Sequence, residues 1–83
     1  MTKPEVVAIL KQSNPREQEM RLAMFADLYI EYRKAVTNIS EHGSIVSHPR
    51  TNEPITNPFL AVRDKAMTTL LKLQLKTPAE MWV

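Results

Sequence analysis

The segment GSIVSHPRTNEPITNP, Gly43–Pro58, constrains the fold more than any other part of the chain. It holds the single glycine and three of the six prolines, and both histidines lie in it or beside it. A helix does not run through such a stretch. Proline lacks an amide donor and restricts the residue before it, and glycine is the usual left-handed helix stop. Ser44-Ile45-Val46-Ser47 and Pro54-Ile55-Thr56 read as short strand-like pieces around His48-Pro49-Arg50-Thr51-Asn52. Proline in second place suits a type I turn, and Asn52 tolerates the left-handed conformation that often completes one. The pattern predicts a two-stranded ribbon, kept short because Pro54 cannot donate to a ladder. A lone hairpin is unstable in water, so Ile45, Val46 and Ile55 are expected to anchor it on neighbouring helices.

Both flanks carry helical patterning. Thr2-Lys3-Pro4-Glu5, Asn14-Pro15-Arg16-Glu17 and Thr77-Pro78-Ala79-Glu80 each place a capping residue three positions before a glutamate, and Asn57-Pro58 has the cap and proline alone. A short helix is expected over roughly 4–12, within an N-terminal region 1–14, and a long one over 15–42. In the long one, Leu22, Met24, Phe25, Leu28, Tyr29, Tyr32, Ala35, Val36 and Ile39 fill an arc of about 160°. A second long helix is expected over 57–76. Its apolar residues form two stripes, Phe59, Val62, Ala66, Leu70 and Leu73, then Leu60, Met67, Leu71 and Leu75. Together the stripes cover about 220° of the wheel, more than one packing partner needs. The C-terminal segment 77–83 carries a short helix. The predicted fold is mostly α: one domain, an antiparallel hairpin of two long helices joined by a short β-ribbon, with short terminal helices. The helices return alongside each other because the ribbon brings its own ends together.

Size and composition exclude several classes. Eighty-three residues make one domain at most, and a chain this small gains much from a partner. With no cysteine there is no disulfide and no thiolate zinc site. No apolar run reaches the ~18 residues of a membrane span, and the N-terminus has no signal-peptide pattern, so a cytoplasmic protein without a membrane partner is expected. His42 and His48 straddle the glycine with few carboxylates nearby, a poor metal site. With one glycine there is neither a Gly-x-Ser-x-Gly elbow nor a phosphate-cradling loop. The chain reads as a non-enzyme without cofactor.

Net charge is only +2, but its placement is uneven: residues 57–83 carry Arg63, Lys65, Lys72 and Lys76 against Asp64 and Glu80. Lys65, Lys72 and Lys76 fall within about 40° on the second helix. Such a strip is either a solvated face that complements the helix's negative end or a phosphate-contacting one. Arg50, at the ribbon tip, is either a solubilising turn residue or a reach into a groove. Arg33 and Lys34 have acidic neighbours and read as intrahelical pairs, Glu31 with Lys34 for example. Arg63 lies between apolar stripes, where a partner such as Asp27 or Glu31, or a solvent-reaching pose, is needed. Ile30 stands alone on the polar side of the first long helix. With Leu60, Arg63, Met67, Leu71 and Leu75 it forms the expected self-association surface, and Met20, Met24 and Met67 add adaptable contacts. The alternative is cover within the chain by the short N-terminal helix or the C-terminal Met81-Trp82, enough for one stripe but not for all of it.

The ordered set of LYIEYRKAVTNISEHGSIV, HPRTNEPITNP and FLAVRDKAMTTLLKLQLKTP resembles the bacteriophage terminase small subunits over about residues 25–78. The resemblance rests on Gly43, Ile45-Val46, Pro54-Ile55 and Asn57-Pro58 in sequence between two helices. It departs from that family at Asn52, where glycine is common, and before Thr77-Pro78, where a glycine is usual. What it implies is a non-catalytic oligomer, a ring in many relatives, that recognises double-stranded viral DNA and delivers it to the large ATPase and nuclease subunit in the host cytoplasm. Lys65, Lys72, Lys76 and Arg50 are then the DNA-contact candidates. The competing reading is a self-associating helical-hairpin interaction module with no nucleic-acid role.

Overall fold

A computed structural model describes residues 1–82. The first helix, α1, spans Lys3–Ser13, and α2 spans Glu19–His42. The strands β1 (Ile45–Ser47) and β2 (Pro54–Thr56) follow, then α3 (Phe59–Leu73) and a 3-10 turn at Ala79–Trp82. The shape is a rod of 50 × 20 × 18 Å. The mostly helical hairpin with its β-ribbon elbow is as predicted, but several boundaries are not.

The first long helix begins at Glu19 rather than at residue 15. Asn14 does not cap it, because its carboxamide is engaged elsewhere. Asn14 Nδ2 donates to Leu10 O (2.9 Å) and Lys76 O (2.8 Å), and its Oδ1 accepts from the Lys76 amide (2.9 Å). Residues 15–17 form a turn instead, and the Glu17 carboxylate receives Arg21 at 2.8 Å. Thr2 departs from its capping role too: its hydroxyl donates to Glu5 rather than accepting from the backbone.

α2 stops where glycine demands. Gly43 has φ +81°, and its amide donates to Ile39 O at 2.7 Å. In the antiparallel ribbon, Ile45 faces Thr56, Val46 faces Ile55 and Ser47 faces Pro54. Side chains alternate along a strand, so only one face reaches the helices. Val46 and Ile55 take that face and are half-buried. Ile45, expected as an anchor, points outward and is 61% exposed. At the tip, Asn52 adopts φ +58°, and His48 Nδ1 accepts from the Arg50 and Thr51 amides.

Asn57 ties the elbow to both helices. It is almost fully buried, and its Nδ2 donates to Asn38 Oδ1 (3.0 Å) and Gly43 O (2.8 Å). Its Oδ1 accepts from the Phe59 amide (3.0 Å) at the start of α3, the capping contact expected of Asn57-Pro58. Its own amide donates to Ser44 O.

α3 then returns along α2, and at its far end Arg21 donates to Leu73 O. Small residues, Ala35 and Ala66, are buried on the two helices. The main core lies away from the ribbon, where Val6, Leu10, Leu22, Phe25, Ala26, Tyr29, Leu70 and Met81 meet. α3 ends at Leu73, short of residue 76, with Gln74 in the left-handed region (φ +55°). The chain then crosses back over the bundle as a strap. Met81 is wholly buried, and the Tyr29 hydroxyl donates to Met81 O at 2.6 Å. The Trp82 ring sits edge-on to Tyr29 and Tyr32, at 5.5 and 5.8 Å, and its indole N–H donates to Thr77.

Two outcomes test this account. Asn57→Ala removes three side-chain hydrogen bonds at a buried junction and is expected to cost about 3 kcal/mol in urea unfolding, with loss of amide protection in the ribbon. Tyr29→Phe leaves the Met81 carbonyl unpaired and is expected to cost about 1–2 kcal/mol. In that variant, amide exchange should rise in residues 76–82 before it rises in α2 or α3.

Candidate nucleic-acid and self-association surfaces

Lys65 and Lys72 lie two turns apart on α3, so their stems leave the helix on nearly one line. Both are exposed, and neither forms an ion pair with a described residue. Between them, Thr68 and Thr69 turn their hydroxyls back to the carbonyls of Asp64 and Lys65. Lys65 borders a crevice between α2 and α3, with Leu28, Glu31, Val62, Ala66 and Thr69. This part of the predicted basic strip is one surface.

Lys76 does not belong to it. α3 has ended three residues earlier, and Lys76 is held by the Asn14 clamp beside the 15–17 turn, where it shares a shallow hollow with Arg16. Arg50 stands exposed on the ribbon tip at the opposite end of the rod. One length of α2, roughly 36 Å at 1.5 Å per residue, separates those two ends. The four predicted DNA contacts therefore fall at three places, of which only the Lys65–Lys72 line holds two.

The predicted association surface also divides. Leu71 is 69% exposed on α3, with Met67 and Leu60 half-buried on the same side. Leu71 and Met67 edge an apolar cleft of about 230 Å³ with Phe25, Leu70, Leu75 and Trp82. Leu75 packs against the core from the strap, not from the helix. Ile30 is not a stray apolar residue on a wet face: it is half-buried against the core, because α1 occupies that side of α2. Lys3 of α1 meets Asp27 there at 3.1 Å. Arg63 meets neither Asp27 nor Glu31. Its Nε lies 3.1 Å from the carboxylate of adjacent Asp64, a part-exposed pair that has no need of a distant partner. The expected Glu31–Lys34 pair is not formed either, and Arg33 and Lys34 have no ion-pair partner among the described residues.

Trp82, from the C-terminal segment read as a cover for one apolar stripe, supplies one wall of the cleft. One feature was missed in the sequence. A broader hollow of about 580 Å³ lies between ribbon and helices, walled by Val46, Pro54, Ile55 and Phe59, with outward-facing Ile45 at its edge. The period-two alternation that sets Ile45 on the opposite face from Val46 was the available signal. Among the described residues no group of three or more His, Asp or Glu side chains gathers as a metal site, and no helix is long and apolar enough to cross a membrane.

Two antiparallel helices pinned by a buried asparagine at a β-elbow, with a lysine line and an exposed leucine on the outer helix, make an elongated helical hairpin. The family described as phage terminase, small subunit, matches this chain over residues 4–76, and the chain belongs to it. Membership gives it the part of small subunit in phage DNA packaging, generally the non-catalytic one of the terminase pair. No curated protein and no solved structure matches the chain.

Proposed function

We propose that this small subunit assembles with copies of itself, in a ring, recognises double-stranded viral DNA, and delivers it to the large ATPase and nuclease subunit in the host cytoplasm. The family match over residues 4–76 carries the reading. Two surface features support it. Leu71 stands exposed beside an apolar cleft, and a protruding aliphatic side chain next to a cavity of side-chain size is the form self-association takes. Leu60 and Met67 extend that contact, with the Arg63–Asp64 pair at its polar rim.

Lys65 and Lys72 offer two unpaired cations to phosphates, and each phosphate neutralised releases counterions. Arg50 and Lys76, at the two ends of the rod, extend the contact to DNA only when neighbouring subunits align their lysine lines. DNA recognition thus depends on assembly. A lone subunit presents two adjacent cations, whereas a closed oligomer repeats them at fixed spacing.

The decisive measurements are light scattering and DNA binding at two salt concentrations. Leu71→Asp is expected to dissociate the oligomer while leaving the helical circular dichroism unchanged, since Leu71 is mostly solvent-facing. Lys65→Glu with Lys72→Glu is expected to leave the oligomer intact, weaken duplex binding at low salt about tenfold or more, and flatten the salt dependence. Unaltered affinity in that variant would mean the lysines are merely solvated, and a monomeric wild-type protein at working concentration would remove the ring.

A further inference from the structure

The back of α2 carries a site that DNA packaging leaves unexplained. Arg33 and Lys34 lie roughly 120–140° around the helix from Leu28, the residue that faces α3 across the crevice with Val62 and Ala66. They are therefore on the far side of the hairpin from Lys65 and Lys72. They border a hollow of about 540 Å³ with Met1, Tyr29, Ile30, Thr37 and, from the strap, Glu80. Its lining mixes polar and apolar surface, the apolar part coming from Ile30 and Met1. Tyr29 lies buried beneath, with its hydroxyl given to Met81 O, and Ile30 is half-buried beside it. Its walls are cationic, because neither Arg33 nor Lys34 has an ion-pair partner among the described residues, and Glu80 sits across the hollow without pairing to either.

We propose that this hollow docks an acidic peptide segment bearing an apolar side chain. The volume is that of a pocket for one or two side chains, within the about 300–1,000 Å³ usual for small ligands. A duplex offers phosphates on a convex surface and has nothing to place on the apolar part of the lining. A peptide with an aliphatic residue between carboxylates fills both features: the aliphatic group covers Ile30 and Met1, and the carboxylates meet the fork of Arg33 and the ammonium of Lys34. Glu80 is the one like charge such a peptide meets. This site stands apart from the DNA reading, and both faces are free to be occupied at once.

The test uses the full chain and fluorescence anisotropy with three labelled probes: a short peptide alternating aspartate and leucine, its aspartate–serine counterpart, and a short DNA duplex. The leucine peptide is expected to bind, and the serine peptide to bind at least about tenfold more weakly, the step that 1.4 kcal/mol makes. Arg33→Glu with Lys34→Glu should weaken the leucine peptide about tenfold or more, and Arg33→Gln with Lys34→Gln, a milder change at two exposed positions, should weaken it less. Glu80→Gln should tighten it, while Lys65→Glu with Lys72→Glu leaves it unchanged. Equal binding of the two peptides, or full leucine-peptide affinity after charge reversal at 33 and 34, overturns the proposal. So does a result in which that reversal abolishes duplex binding and the peptide never binds, since the face then belongs to nucleic acid. Failure of the DNA reading is registered separately, by duplex binding in the Lys65 and Lys72 variant.

Discussion

The buried carboxamide of Asn57 is the contact on which the hairpin depends. It joins the last turn of α2, the glycine stop, the ribbon and the first turn of α3 through groups that have no other partner nearby. A polar group taken out of water must find its hydrogen bonds or forfeit them, and a buried network is satisfied in one geometry only. No buried side-chain polar atom among the described residues is left unpaired, so the junction has little freedom to hinge. The angle between α2 and α3 follows from that single side chain together with the small buried residues, Ala35 and Ala66.

The other end of the rod is closed by different chemistry. There Met81, Leu10, Val6, Leu22 and Leu70 pack around Phe25 and Tyr29, and Asn14 grips the backbone of Lys76 from both sides. α2 is thus covered on one flank by α1, on another by α3, and across the gap by the strap. α3 has cover on one side only. That asymmetry leaves Leu71, on the outer helix, in water.

The cations divide in the same way. Those nearest an acid are neutralised locally: Lys3 by Asp27, Arg21 by Glu17, Arg63 by Asp64. Among those left over, Lys65 and Lys72 stand on α3, Arg33 and Lys34 on the back of α2, and Arg50, Arg16 and Lys76 at the two ends of the rod. If the proposed partners bind where these surfaces lie, they are held apart by geometry rather than by motion.

Much of this was legible in the residues because it is local. Gly43 as a helix stop, Asn52 in a left-handed turn, Asn57 before a proline, and the two helical periods each follow from sterics or hydrogen bonding within a few positions. What misled was also local reasoning, applied where a distant group intervened. Asn14 has the look of a helix cap, yet it binds a strap sixty-two positions on. Ile30 seems stranded on a polar face, yet α1 covers it. Lys76 continues the wheel of Lys65 and Lys72, yet Gln74 turns the chain left-handed before reaching it. The sequence by itself determined the kinds of element, their order and the chain reversal between them, since short-range geometry suffices for those. Only the tertiary structure decided which apolar stripe stays in water and which cations stay unpaired, because burial and charge pairing depend on what the rest of the chain brings alongside.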